Sequence, residues 1–207
     1  MTTLYFAAGT CALASHILLE QSGAAYDTVR LDFSRSAQRS PEFLQLNPKG
    51  RVPALVTDRG VLTETPAILL YVCQTNAQAG LAPLDDPFEL ARAQAFNSYL
   101  CSTVHVAHAH KRRGARWADE PDAIAAMQKK VAQNMVDCFD LIEQTLFAGP
   151  WVLGAHYSLC DPYLFTIANW LEGDQVDIAR FPKVAAHHGR MRSLPAVQQV
   201  LAAHALA

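Results

Sequence analysis

Asn47-Pro48-Lys49-Gly50-Arg51-Val52-Pro53-Ala54-Leu55 is the stretch on which the reading of this chain turns. A proline disfavours helical backbone at the residue before it, so residues 41–46 are predicted to form a short helix that stops ahead of Asn47-Pro48. Beyond Gly50 the residues become apolar. Residues 52–56 and then Val61-Leu62 read as a hairpin around Asp58-Arg59-Gly60. A proline at the head of such a strand fits either an edge position or a cis bond. Residues 64–76 make the next helix, with Pro66 in its first turn, where a missing N–H costs little.

Toward the N-terminus the same grammar continues. Leu4-Tyr5-Phe6 is a buried strand that breaks at Gly9, and residues 12–22 form a helix closed by Gly23. Residues 26–32 alternate well enough to be a second strand. The order β-α-β-α-β-β-α is that of the thioredoxin fold. Toward the C-terminus, residues 80–87 carry two prolines, a glycine and two aspartates, which is linker chemistry. Strand signals then cease. Helical spacing governs 88–110, 122–147 and 158–171, and two further helices follow Pro182 and Pro195. In the second of these, Ile124, Met127, Val131, Met135, Cys138, Ile142 and Leu146 form one apolar stripe. Ser158-Leu159-Cys160-Asp161 is a variant capping box, with Asp161 reaching back to the backbone N–H of Ser158. The expected architecture is an α/β thioredoxin-like N-terminal domain over 1–79, a linker over 80–87 and an all-α C-terminal domain over 88–207.

Four motifs in register carry a resemblance across essentially the whole chain. Gly9-Thr10-Cys11-Ala12-Leu13, the stretch 47–55 and Glu64-Thr65-Pro66-Ala67-Ile68 resemble the three glutathione-site segments of bacterial cytosolic glutathione transferases. Gly154 with Ser158 to Asp161 is similar to that family's helical-domain capping motif. A cysteine after the first strand points to the beta type. The resemblance implies the glutathione transferase fold, glutathione as co-substrate, a small electrophile as second substrate and a homodimer. It also implies roles for particular residues. Pro53 is cis, and the backbone of Val52 pairs with the cysteinyl part of glutathione as a short β-augmentation. Glu64 takes the γ-glutamyl amine, and Thr65, standing where the family has serine, meets the carboxylate at a helix N-terminus. The glycyl carboxylate falls to a basic residue in the loop after the second strand, with Arg35 the first choice and Arg39 the other.

Cys11 immediately precedes a helix, where free N–H groups and the helix dipole are expected to lower its thiol pKa. The resemblance puts this thiol near the glutathione sulfur. The other cysteines, Cys73, Cys101, Cys138 and Cys160, lie on apolar helix faces and read as inert. His105 corresponds to the family's histidine on the first long helix, facing glutathione. His108 is one turn further on and shares that face, whereas His110 points away. No carboxylate sits one turn from these histidines, so no metal site is expected. Trp117, Tyr163 and Trp170 are candidates to line the second-substrate site. The run Lys111, Arg112, Arg113 and Arg116 reads as a solvated loop.

The composition frames these readings. A chain of 207 residues with 51% hydrophobic and 17% charged residues can bury a substantial core. A net charge of −2 gives no reason to expect nucleic acid or an anionic membrane as partner. Five scattered cysteines without a CxxC pair point to a reducing compartment, and the start Met-Thr-Thr-Leu-Tyr-Phe lacks the pattern of a secretion signal. A cytoplasmic location is expected. Two rivals share the fold: a glutathione-dependent thiol-disulfide oxidoreductase or peroxidase that uses Cys11, and a non-catalytic glutathione-binding protein.

Overall fold

The computed structural model describes residues 2–205. Strand β1 (Thr2–Phe6) pairs in parallel with β2 (Tyr26–Arg30), and the two are joined by helix α1 (Ala12–Ser22). Gly23 ends α1 with φ of 70°, a left-handed conformation that suits glycine. Strand β2 stops at Arg30, two residues short of expectation. The carboxylate of Asp32 accepts from the N–H of Ser34 at 2.9 Å and starts a short 3-10 turn instead. Helix α2 (Pro41–Leu46) begins at Ser40, whose hydroxyl accepts from Phe43 N–H.

Strands β3 (Ala54–Thr57) and β4 (Gly60–Thr63) form the expected hairpin, with Asp58-Arg59 as its two-residue turn. The Val52–Pro53 peptide bond is cis. Pro53 has no N–H to give, and the ladder begins at Ala54, not at Val52 as the apolar run suggested. The sheet order is β2-β1-β3-β4, with β3 antiparallel to both neighbours. Helix α3 (Thr65–Thr75) packs beside α1, and Leu4, Leu18, Leu55, Ile68 and Leu69 are fully buried between sheet and helices.

From Pro87 onward the structure is helical. Asp86 caps α4 (Pro87–Tyr99), accepting from the N–H groups of Phe88 and Glu89. A π turn (Leu100–Val104) leads directly into α5 (His105–Arg113), and α6 (Pro121–Leu141) also runs into a π turn (Ile142–Leu146). Helices α5 and α6 approach closely at Gly114, where a Cβ would stand 2.9 Å from the Ile124 side chain. Helices α7 (Asp161–Ala168), α8 (Pro182–Ser193) and α9 (Pro195–Ala205) complete the described chain.

The capping box is present. Asp161, fully buried, accepts from Ser158 N–H at 2.6 Å, from Val152 N–H at 2.9 Å and from His187 Nε2 at 2.9 Å. Helix α1 is buried on nearly every side. Its Leu18 and Leu19 belong to the core beside the sheet, while Leu13 and Ile17 pack with Phe165, Met191, Val197 and Val200 of the last three helices. A buried contact between His16 Nδ1 and His204 Nε2, 3.1 Å apart, joins α1 to α9 at the same boundary. No helix among the described residues is long and apolar enough to cross a membrane.

Candidate functional site

A cleft of about 340 Å³ opens between the edge around Val52 and Glu64 on one side and α5 with Trp170 on the other. Its floor is Gly9-Thr10-Cys11. The Thr10 hydroxyl donates to Ala7 O at 2.7 Å and accepts from Ala12 N–H, which pins this loop to the start of α1.

Cys11 lies in the cleft with its Sγ 3.6 Å from Val52 O, toward which the thiol donates. The expected lowering of its pKa is overturned: burial pushes the thiol up. The Thr65 hydroxyl and the Arg113 charge favour the thiolate, but they do not outweigh desolvation, and the Glu64 charge adds to it. The Cys11 N–H also favours the thiolate without outweighing burial, and the next N–H groups of the turn are already taken. Ala12 N–H goes to the Thr10 hydroxyl, Leu13 N–H to Thr10 O and Ala14 N–H to Cys11 O.

The turn before Val52 is held by Asn47, whose side-chain amide donates to Arg51 O at 2.7 Å while its carbonyl oxygen accepts from Lys49 N–H. Gly50 completes it with φ of 59°, and a Cβ there would stand 2.8 Å from Arg39 Nη1. Val52 offers a carbonyl to Cys11, and its N–H donates to no group among the described residues.

Glu64 precedes α3 with φ of 71° and ψ of 120°, a conformation that costs a non-glycine residue on the order of 1–3 kcal/mol. Its Oε1 lies 2.5 Å from Lys49 Nζ, which also donates to the Thr63 hydroxyl at 2.6 Å. No side chain caps α3. Thr65, expected at a carboxylate, is buried beside the Cys11 thiol and the Tyr163 phenol, and its hydroxyl acts on both.

Helix α5 supplies the facing wall. His105 and His108 both line the cleft and both pack on Trp170, His105 edge-on at 4.8 Å and His108 stacked at 4.4 Å. Trp170 in turn donates its indole N–H to Gly9 O at 3.2 Å. Burial, helped by the Arg113 charge, pushes His105 down to about 4, so its imidazole is neutral at pH 7. His108 Nδ1 lies 2.6 Å from Asp174 Oδ2, which fixes its ring. His110 packs on Trp117 and lies outside the cleft.

Arg35 is not part of this arrangement. Its side chain is 85% exposed, 4.0 Å from Asp32, because the 3-10 turn begun by Asp32 carries it away from the cleft. Arg39, one turn later, lines the cleft. The basic run also departs from its solvated reading: Arg113 and Arg116 line the cleft together with Arg39 and Arg51. Cys101 is a third correction. One turn before His105 on the same face, it lines the cleft wall, while Cys73, Cys138 and Cys160 are buried as expected. Lys49 and Arg51 stood inside the quoted motif, yet nothing in their spacing marked them as part of the site. Trp117, Tyr163 and Trp170 all line the cleft.

Comparison with known proteins agrees with this geometry. Residues 1–74 match the model of the glutathione S-transferase N-terminal domain, and residues 109–204 that of the C-terminal domain. A glutathione transferase homologue from Sulfitobacter, solved with bound glutathione, is 44% identical, with a TM-score of 0.95 and 98% of each chain covered. Glutathione S-transferase GstA of Escherichia coli O157:H7 is 28% identical over 206 residues, covering 98% of each chain. The disulfide-bond oxidoreductase YfcG of Escherichia coli K12 is 26% identical, over 97% of this chain and 94% of its own. With an α/β thioredoxin-like half, an all-α half and these relatives over its whole length, the chain belongs to the glutathione S-transferase family.

Proposed function

We propose that the protein is a glutathione transferase that conjugates the glutathione thiolate to small electrophiles. One observation carries the reading. A backbone N–H at Val52, just ahead of β3 and without a partner among the described residues, the start of α3 beside Glu64 and a protonated Cys11 thiol meet in one cleft. Glutathione would pair with the free backbone of Val52, ahead of the β3 ladder. Its ammonium would meet the free Oε2 of Glu64, and its α-carboxylate the N-terminus of α3 at Thr65. Arg39 takes the place first expected of Arg35 at the glycyl carboxylate.

The chemistry needs the sulfur ionised and close to carbon. The Cys11 S–H and a neutral His105 are donors suited to a neighbouring thiolate, and the cleft holds the two reactants together. The thiolate forms a C–S bond at the electrophilic carbon, and the leaving group departs with its electron pair. The same raised pKa disfavours the oxidoreductase reading, because attack on a disulfide needs a Cys11 thiolate. His108, tied to Asp174, positions the Trp170 wall. We further propose a domain division at residues 80–87, a homodimer, a cytoplasmic setting and a role in detoxification.

Millimolar glutathione should raise the melting temperature. Saturation near 100 times Kd adds about 2.7 kcal/mol, or about 5–10 °C for a chain of this size. Glu64→Ala should lose most of that rise. An unchanged melting temperature in the wild type would remove the glutathione site and the function built on it.

A further inference from the structure

Four guanidinium groups line this one cleft, from both of its walls: Arg39 and Arg51 beside the sheet, Arg113 and Arg116 at the end of α5. They do so in a chain whose net charge is −2. Outside the cleft some cations have carboxylate partners and others, such as Arg59 and Arg180, have none among the described residues. Arg92 lies 2.8 Å from Glu89, and Lys111 lies 3.5 Å from Asp174. None of the four cleft arginines has an ion-pair partner among the described residues. Among the described residues the one carboxylate lining the cleft is Glu64, and Lys49 holds its Oε1. Arg116 is destabilised as a cation by partial burial and by Arg51, Arg113 and Arg39. Like charges gathered in a concave, partly desolvated site are relieved only by an incoming anion.

Glutathione alone does not use them all. It brings two carboxylates, one ammonium and the reacting sulfur. The α-carboxylate and ammonium go to the start of α3 and to Glu64, and the glycyl carboxylate to Arg39 with Arg51 on the same wall. Arg113 already acts on the sulfur position through Cys11. Arg116 is left, on the helical side with Trp117, a half-exposed aromatic face beside it.

We propose that this corner is an anion subsite, in which Arg116, supported by Arg113, grips a carboxylate carried by the electrophile while Trp117 covers its apolar body. The preferred second substrates are therefore small electrophilic carboxylates, not neutral aryl or alkyl halides. A guanidinium fork suits a planar carboxylate in two-point contact. The inference rests on the glutathione transferase reading.

The test separates the two. S-methylglutathione, which cannot react, is first titrated into the free protein by calorimetry. The saturated complex is then titrated with 3,5-dinitrobenzoate and, separately, with the neutral 3,5-dinitrobenzamide. The carboxylate should bind at least about tenfold more tightly than the amide, and the preference should shrink as salt is raised. Arg116→Gln should remove most of the preference without changing S-methylglutathione affinity, and Arg116→Lys should restore part of it. Equal affinities for the two aromatics, or binding of neither, would overturn the anion subsite while leaving glutathione recognition intact. A preference that survives Arg116→Gln, with S-methylglutathione weakened instead, assigns the arginine to glutathione and also overturns it. Failure of S-methylglutathione to bind at the first step would remove the reading on which the proposal rests.

Discussion

A cysteine at the start of a helix feels two opposed influences: backbone dipoles that favour the thiolate, and burial that favours the thiol. At Cys11 burial prevails: the Thr65 hydroxyl, the Arg113 charge and the Cys11 N–H favour the anion without outweighing desolvation, and the N–H groups of residues 12–14 are engaged elsewhere. This supports the proposed role of Cys11 as a hydrogen-bond donor, with the electrophile attacked by glutathione's own sulfur. Cys11→Ala should lower conjugation kcat/KM roughly ten- to a hundredfold, the effect of losing one donor to a charged group. Alkylation of Cys11 in the folded protein by iodoacetamide, followed by digestion and mass spectrometry, should be slow at neutral pH and accelerate only in the alkaline range. Rapid labelling at pH 7, or a Cys11→Ala enzyme with full activity, would contradict this role. The motif placed Cys11, Val52, Glu64 and Thr65 in the cleft by number alone. It could not show that Lys49 holds Glu64 or that Thr65 turns inward to Cys11, since both depend on a side-chain direction set by tertiary contacts.

Among the elements, α1 and α2 fall on the bounds read from sequence, because glycine, proline and a serine cap punctuate them. The first long helix was legible as a run, and the four-residue spacing of Cys101 and His105 puts both on one face. What that face looks onto is set by the elements packed opposite, and this hid the place of Cys101 in the cleft. The arginine cluster was equally hidden: Arg39, Arg51, Arg113 and Arg116 come from distant parts of the sequence and meet only in the folded chain. Before α7 the bond from Asp161 back to Ser158 N–H was readable, but the helix expected from 158 starts at Asp161, with Cys160 at its N-cap. Asp161 receives four donors there, the Ser158 hydroxyl among them, so Asp161→Ala should leave buried groups without partners and cost on the order of 3–5 kcal/mol. The melting temperature should fall by about 10 °C or more in calorimetry. A fall of only one or two degrees would mean that the box does not anchor α7.

At the scale of the whole molecule, charge is concentrated where function is proposed. A cleft lined by four arginines within a net-negative chain draws anions inward and leaves the remaining surface acidic. The described surface also carries Phe88 at 72% exposure, an aromatic at the start of α4 with no cover in the single chain. This supports the proposed homodimer, and sedimentation equilibrium at micromolar concentration should give twice the 22.7 kDa chain mass. A 22.7 kDa species at that concentration would oppose it. The burial of α1 in both cores has a consequence for how such a protein can diversify. Leu13 and Ile17 tie the last helices to the sheet, so the two walls of the cleft cannot drift apart without opening a core. Adaptation to a new substrate must then proceed by exchanging side chains on the rim, and the short turn bearing Arg116 is the place where exchange disturbs the interior least.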